Sequence, residues 1–251
     1  MAGTNLPCCV VQPPRLEAWE LHRCMSTCSN HKPPEGARWS RAILFANGLV
    51  PDAKSLDLVI ADTDLLVGVD GGTEHCLAMD LAPHVVVGDM DSLASEQRAR
   101  LSRVGVRMDV HPVAKDKTDL ELAMDLAVEE GVCEVLVVGV WGGRLDQSLA
   151  NMLLLGRYAG RLRVRFTDGK EHGAVLVGED ELEIQGALGS VCSLVPVSGL
   201  VDRVTVEGMQ YPLHNALIHQ GDTLAVSNRI TSTRASVGIG QGILVVVWFG
   251  E

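Results

Sequence analysis

The stretch VLVVGVWGGRLDQSLANMLLLGRY, Val135–Tyr158, decides the fold. Val135–Val140 is an apolar run without alternation, the pattern of a strand buried on both faces. Trp141-Gly142-Gly143-Arg144 breaks it as a turn. From Gln147 onward Leu149, Met152, Leu153 and Leu155 recur at helical spacing. Strand, glycine turn and helix together form the repeating unit of a parallel α/β sheet. The unit recurs upstream. Ala42–Ala46 ends at Asn47-Gly48, Leu65–Val69 at Asp70-Gly71-Gly72, and His84–Val87 at Gly88-Asp89-Met90-Asp91. Val106–Val110 predicts another strand before Asp116–Asp119. Helices are expected over Glu96–Arg103 and over Leu120–Glu130, which opens at Thr118-Asp119 and stops at Gly131. In open α/β sheets the ligand crevice lies outside the carboxyl ends of the strands. The acidic and glycine-rich turns should therefore converge on one edge.

After Asp168 the pattern changes. Short strands are predicted at Ala174–Val177, Leu182–Ile184, Val191–Val195, Arg203–Val206, Asn215–His219, Thr223–Ser227, Ala235–Val237 and Ile243–Trp248. Turn residues such as Gly178, Ser198-Gly199 and Gly240-Gln241-Gly242 separate them, as in a sandwich or barrel. The fold class is α/β: an N-terminal Rossmann-like, mostly parallel sheet domain over 41–168, then a C-terminal β-sandwich domain over 173–251. Residues 1–40, with Pro7, Pro13, Pro14, Pro33 and Pro34 and no sustained period, read as a flexible extension. His22, Cys24, Cys28 and His31 stand close enough to chelate zinc, but their spacing matches no common zinc pattern.

Composition removes several function classes. Acidic side chains number 32 against 21 basic, a net charge of −11, which argues against a nucleic-acid binder. It leaves a phosphate substrate open, because carboxylates hold the metal that phosphates bring. No apolar run approaches the roughly 18 residues of a membrane span. Seven cysteines, mostly isolated, fit a reducing, cytoplasmic setting better than a disulfide framework.

The polar turns carry the chemistry. Asp89 and Asp91, two residues apart after a strand, can reach one hard cation such as magnesium; the plainer reading is a helix cap. Asp70 and Asp119 favour the cation, since four carboxylates at one sheet edge repel unless charge is supplied. Gly71 and Gly72 let backbone N–H groups approach a ligand. Lys115-Asp116-Lys117-Thr118-Asp119 places cations and carboxylates at a helix start, where lysine suits phosphate and Asp119 suits metal; a solvated, capped loop is the alternative. Gly142 and Gly143 permit backbone contact, Arg144 can fork onto phosphate oxygens, and Asp146 can orient a hydroxyl. No Walker A or GxGxxG pattern occurs. His75 is weighed as a surface histidine, and Cys76 and Cys133 as packing residues.

Taken in order, VGVDGG (Val67–Gly72), VVVGDMDSL (Val85–Leu93), KDKTDLELAMDLA (Lys115–Ala127), GVWGGRLDQSLANMLLL (Gly139–Leu155), YPLHNALI (Tyr211–Ile218) and GDTLAVSN (Gly221–Asn228) resemble the thiamin pyrophosphokinase family, in a texture closer to its bacterial-type members. The resemblance covers about Ala42 to Trp248. It implies transfer of a pyrophosphoryl group from ATP to thiamin with release of AMP, magnesium as cofactor, and a homodimer. It also implies that Asp70, Asp89, Asp91 and Asp119 form the metal and triphosphate site, with Gly71, Gly72, Asp116, Thr118, Gly142 and Gly143 around the nucleotide. Arg144 and Asp146 would lie beside the transferring phosphates, Gln147 near thiamin, and Ser227 and Asn228 in a thiamin pocket shared across the dimer. The proton acceptor stays open between Asp70 and Asp119. A magnesium-dependent phosphohydrolase, a pyrophosphokinase acting on a pterin alcohol, and a catalytically silent nucleotide or thiamin binder are the competing readings.

Overall fold

A computed structural model describes residues 37–250, apart from Lys54, Ser55, Asp57 and Val113. The extension and its histidines and cysteines lie, but for residues 37–40, outside the described residues.

The α/β half contains strands β1 (Arg41–Phe45), β2 (Asp64–Val69), β3 (Val85–Gly88), β4 (Arg107–Val110), β5 (Glu134–Val138) and β6 (Arg163–Thr167). Its helices are α1 (Thr73–Ala78), α2 (Ser95–Arg103), α3 (Asp119–Glu129) and α4 (Leu145–Tyr158). The strands lie parallel in the order β6-β5-β1-β2-β3-β4. Alternate residues serve opposite faces. Leu44, Val67, Val87 and Val137 pack with Met124, Leu126 and Leu155 of α3 and α4. Ile43, Phe45, Leu66 and Leu136 pack with Cys76 of α1. With both faces covered, β2 and β3 show only buried residues, as their apolar runs predict. Strand β6 was not expected from the sequence: Arg163 and Arg165 interrupt the apolar run, although Val164 and Phe166 point into the core.

The chain continues as β7 (Glu171–Val177), β8 (Asp180–Gln185), β9 (Val191–Pro196), β10 (Leu200–Glu207), β11 (Leu213–His219), β12 (Asn228–Arg229), β13 (Arg234–Ile239) and β14 (Ile243–Phe249). The sheet crosses Asp168 without a break. β7 adds antiparallel to β6, and the ten-stranded order is completed by β14, β9 and β12. A second, antiparallel sheet, β11-β10-β13-β8, covers this end. Ala174, Leu176, Leu194, Leu244 and Val246 of the first sheet meet Leu182, Val204, Val206 and Val237 of the second, which forms the expected sandwich. β14 faces two ways: Leu244 and Val246 enter the sandwich core, while Val245 joins the core beneath α4. The expected strand Thr223–Ser227 is a turn instead. Leu224 and Val226 stand exposed, the Val226 N–H bonds back to Thr223 at 3.1 Å, and Ser227 takes a left-handed φ of 62°. No helix among the described residues is long and apolar enough to cross a membrane.

Candidate active site

The strand order reverses beside β1, where β2 departs to one side and β5 to the other. Such a switch point leaves a crevice at the carboxyl ends of the strands. Here Gly48 lets the β1 turn press against the β5 turn: its N–H bonds the Gly139 carbonyl at 2.8 Å, and a Cβ on it would lie 2.2 Å from the Trp141 carbonyl oxygen. The crevice, about 130 Å³, is lined by Asn47 and Gly48 after β1, Asp70 after β2, Thr118 and Asp119 at the start of α3, and Gly142 and Gln147 at the β5–α4 turn. Thr118 caps α3 by accepting the Glu121 N–H at 3.2 Å.

Three of the predicted carboxylates meet. Asp70, Asp89 and Asp91 each offer an oxygen within 4.8 Å of the others. Asp70 leaves β2 with a left-handed φ of 48° and opens the tight turn Asp70–Gly72. Asp89 and Asp91 flank Met90, which is 2 % exposed and packs on Leu93 and Leu101. That anchor turns its two acidic neighbours outward. The Asp91 N–H donates to Asp89 Oδ1 at 3.0 Å. This bond above all holds the Asp89 carboxyl below the usual carboxylate range, and the Lys115 charge adds to it. The Ser92 hydroxyl lies 2.9 Å from Asp70 Oδ2 and 3.2 Å from Asp91 Oδ1, with one proton between them. Asp70 Oδ1 is buried with no hydrogen-bond partner. An orphaned buried carboxylate oxygen facing two further carboxylates is a hard-donor set suited to magnesium.

The remaining predicted residues are distributed differently. Asp119 lies outside that group of three and is held by Lys115 at 2.6 Å. Gly71 faces Asn47, whose Oδ1 lies 2.7 Å from where a Cβ would sit, and Gly72 abuts the Phe45 carbonyl in the same way at 2.1 Å. Asp116 is exposed and does not line the crevice. Arg144 turns to Asp146, Nε to Oδ1 at 3.1 Å, with both side chains about two-thirds exposed at 68 % and 66 %. Ser227 is exposed, whereas Asn228 is 4 % exposed. The Asn228 side chain accepts the Tyr211 N–H at 3.0 Å and donates to the Tyr211 carbonyl at 2.8 Å, so it ties two segments of the second half together.

Several residues that position the site were not singled out from the sequence. The Ser148 hydroxyl accepts the Gly142 N–H and donates to the Arg144 carbonyl, each at 3.0 Å, and so clamps the two-glycine turn. Asn151 donates to the Val140 carbonyl at 2.9 Å. His75, weighed from the sequence as a surface histidine, is instead half-buried and bonds the Gly48 carbonyl at 2.9 Å. The serine after Asp91 and the Ser-x-x-Asn after Gln147 were the available signals.

A switch-point crevice with a carboxylate trio and a glycine turn on a helix start defines an α/β protein whose site has the chemistry suited to phosphates and the cation they bring. Comparison with known proteins narrows that class. Residues 56–166 match the family described as thiamin pyrophosphokinase, catalytic domain, and residues 180–244 match thiamin pyrophosphokinase, vitamin B1 binding domain. The thiamine pyrophosphokinase of Bacillus subtilis (strain 168) is 33 % identical over 187 residues, 73 % of this chain and 86 % of that one. The crystal structure of thiamine pyrophosphokinase from Bacillus subtilis superposes with a TM-score of 0.74 at 29 % identity, covering 84 % of this chain and 100 % of that one. The thiamin pyrophosphokinase from Geobacillus thermodenitrificans gives 0.70 at 31 % identity, covering 84 % and 98 %. The chain belongs to the thiamin pyrophosphokinase family.

Proposed function

We propose that this protein is a thiamin pyrophosphokinase that moves the pyrophosphoryl group of ATP to the hydroxyl of thiamin, giving thiamin diphosphate and AMP. The observation that carries the reading is the trio Asp70, Asp89 and Asp91 beside the switch-point crevice, in a chain that matches both family domains in order. Asp70, Asp89 and Asp91 would hold magnesium, which when bound neutralises charge on the phosphate oxygens. Asp70 belongs to both the trio and the crevice wall, so it registers the two against each other.

Reactions of this kind ask the protein mainly for positioning and charge. Arg144 is the mobile anion receptor: its exposed pairing with Asp146 is worth little and can open onto a phosphate oxygen. The thiamin hydroxyl oxygen forms a bond to the β-phosphorus as the bond from that phosphorus to the α,β-bridging oxygen breaks. AMP leaves with that oxygen. Asp119, on the crevice wall, receives the hydroxyl proton. Gln147 faces the acceptor. Ser227 offers a further contact from the second half of a partner copy, and the Asn228 side chain, bonded to Tyr211 through both its oxygen and its nitrogen, supports the segment that carries it. A covering homodimer is supported by Leu145, Leu149 and Leu153, which form an exposed apolar stripe on α4 beside the crevice. A cytoplasmic setting agrees with free Cys76, Cys133 and Cys192.

The test is AMP release from ATP by the purified chain with and without thiamin. AMP formed only with thiamin supports the reading. Thiamin-independent ATP cleavage would make the protein a phosphohydrolase, and nucleotide binding without turnover would make it a silent binder.

A further inference from the structure

Among the described residues, Lys115 is the cation that bonds one of the four predicted carboxylates, Asp119. Its Nζ lies 2.6 Å from Asp119 Oδ1, and the two side chains are 15 % and 26 % exposed. The neighbouring cations are engaged elsewhere. Lys117 pairs with Asp125 at 2.6 Å, and Arg144 pairs with Asp146. Asp119 stands against the carboxylate trio. A Cβ built on Gly88 would lie 3.3 Å from Asp119 Oδ1 and 3.2 Å from the Cβ of Asp70. The ammonium therefore sits at the rim of the acidic site, on a side chain largely withdrawn from water.

We infer that Lys115 is an exchangeable counter-cation: it holds Asp119 while no divalent ion is bound and passes to a phosphate of the nucleotide once the ion is in place. The nucleotide as the source of that phosphate rests on the pyrophosphokinase reading. The physics is a competition for position. A divalent cation entering beside Asp70 repels the ammonium and satisfies the carboxylates. The phosphate oxygens arriving with it attract the ammonium. A lysine head is a compact charge with three rotatable donors on a flexible stem, suited to such a move, whereas a guanidinium fork is bound to one geometry.

The exchange makes a prediction of opposite signs. In Lys115→Met, Mn²⁺ binding to the protein without nucleotide should tighten by about three- to tenfold, because a competing charge is gone. Binding of a non-hydrolysable ATP analogue with saturating Mg²⁺ should weaken by about tenfold or more, because a charge-assisted phosphate contact is lost. Lys115→Arg should restore only part of the analogue affinity, because it returns the charge but not the compact, rotatable head. Lys117→Met should leave both affinities within about twofold, since its partner Asp125 is outside the site. Calorimetry reads both affinities without turnover, so a wild type that releases no AMP would sink the activity and leave this test standing. If Lys115→Met weakens both affinities, or leaves analogue binding unchanged, Lys115 is a structural partner of Asp119 and the exchange does not occur.

Discussion

Replacing Asp70 with asparagine should make the protein more stable and inactive at once. Asp70 shares a space of 4.8 Å with Asp89 and Asp91. Two unit charges at that separation in water repel by about 1 kcal/mol. Two such neighbours give roughly 2 kcal/mol, which salt reduces to about 1. Asparagine keeps the shape, accepts the Ser92 hydroxyl and tolerates the left-handed φ of 48°. For a chain of this size about 1 kcal/mol raises Tm by roughly 2–4 °C. In the same variant the rise in Tm produced by Mg²⁺ should vanish, and AMP release should fall by about a hundredfold or more. Asp70→Ala separates charge from backbone. It removes the same charge but also the short polar side chain that makes the left-handed φ tolerable, and it takes from Ser92 the nearer of its two acceptors, so it should end about 1–2 kcal/mol less stable than Asp70→Asn. Differential scanning calorimetry with and without Mg²⁺ reads all three proteins. An Asp70→Asn protein that melts lower than wild type and still responds to Mg²⁺ would refute both the strain and the metal assignment.

Gly48→Ala should lower Tm by about 6–12 °C, because its Cβ would meet the Trp141 and Gly139 carbonyls at 2.2 and 2.3 Å and force the β1 and β5 turns apart, a loss of about 3 kcal/mol. An unchanged melting curve would mean that the switch point yields easily. The Asp125 carboxyl lies below its usual range: burial pushes it up, but the Lys117 and Tyr158 hydrogen bonds and the charges of Lys117 and Arg157 together outweigh that push. Its stabilisation is therefore complete above the ordinary value of 3.8 and fades as pH falls below it, so urea curves of wild type and Asp125→Asn should differ at neutral pH and converge in acid. A gap that stays constant down through that range would show the group is not linked to folding. Asn228→Ala should cost about 2–4 kcal/mol, since it leaves the Tyr211 N–H and carbonyl without their partner. A loss of thiamin affinity with no loss of stability would instead place the amide in the pocket.

Much of the α/β half was legible because parallel strands buried on both faces leave an unmistakable trace. Ile43, Val67, Val86 and Val137 sit in uninterrupted apolar runs, and the polar residue that ends each run is at the carboxyl edge by construction. Asp70, Asp89 and Asp91 could be placed together from that rule alone. Asp119 could be placed at the edge but not in the trio, because its side chain is decided by Lys115, four residues earlier on the approach to α3. The Arg144–Asp146 pairing was hidden for the same reason: the sequence shows which charges are near, and the rotamers decide which of them meet. Strand β6 escaped because Arg163 and Arg165 occupy alternate positions, so that only Val164 and Phe166 carry the apolar signal. Thr223–Ser227 misled in the opposite sense. Its β-formers suit a strand, and the Leu194 N–H of β9 does reach the Ala225 carbonyl at 2.9 Å, but the Val226–Thr223 turn bond and the left-handed Ser227 leave Leu224 and Val226 exposed.

The joining of the two halves also explains why the site can be so highly charged. A ten-stranded sheet runs from β4 at one edge to β12 at the other, and β14 contributes to the cores on both of its faces. The carboxylate trio is mounted at the ends of β2 and β3, toward one side of that sheet, on turns held by Met90 and by Gly72, which lies against the Phe45 and Ala46 backbone of β1. Like charges brought together on a loose loop would separate, at little expense, until water screened them. Here separation would require withdrawing Met90 from its packing on Leu93 and Leu101, or lifting Gly72 and the Asp70 turn off the Phe45 and Ala46 backbone. The repulsion therefore remains in the folded protein, and a cation of the right size and hardness relieves it. Rigidity in the apolar sheet and instability in the acidic turns belong to one arrangement, since the strand ends that fix Asp70, Asp89 and Asp91 within 4.8 Å are also what prevents them from relaxing.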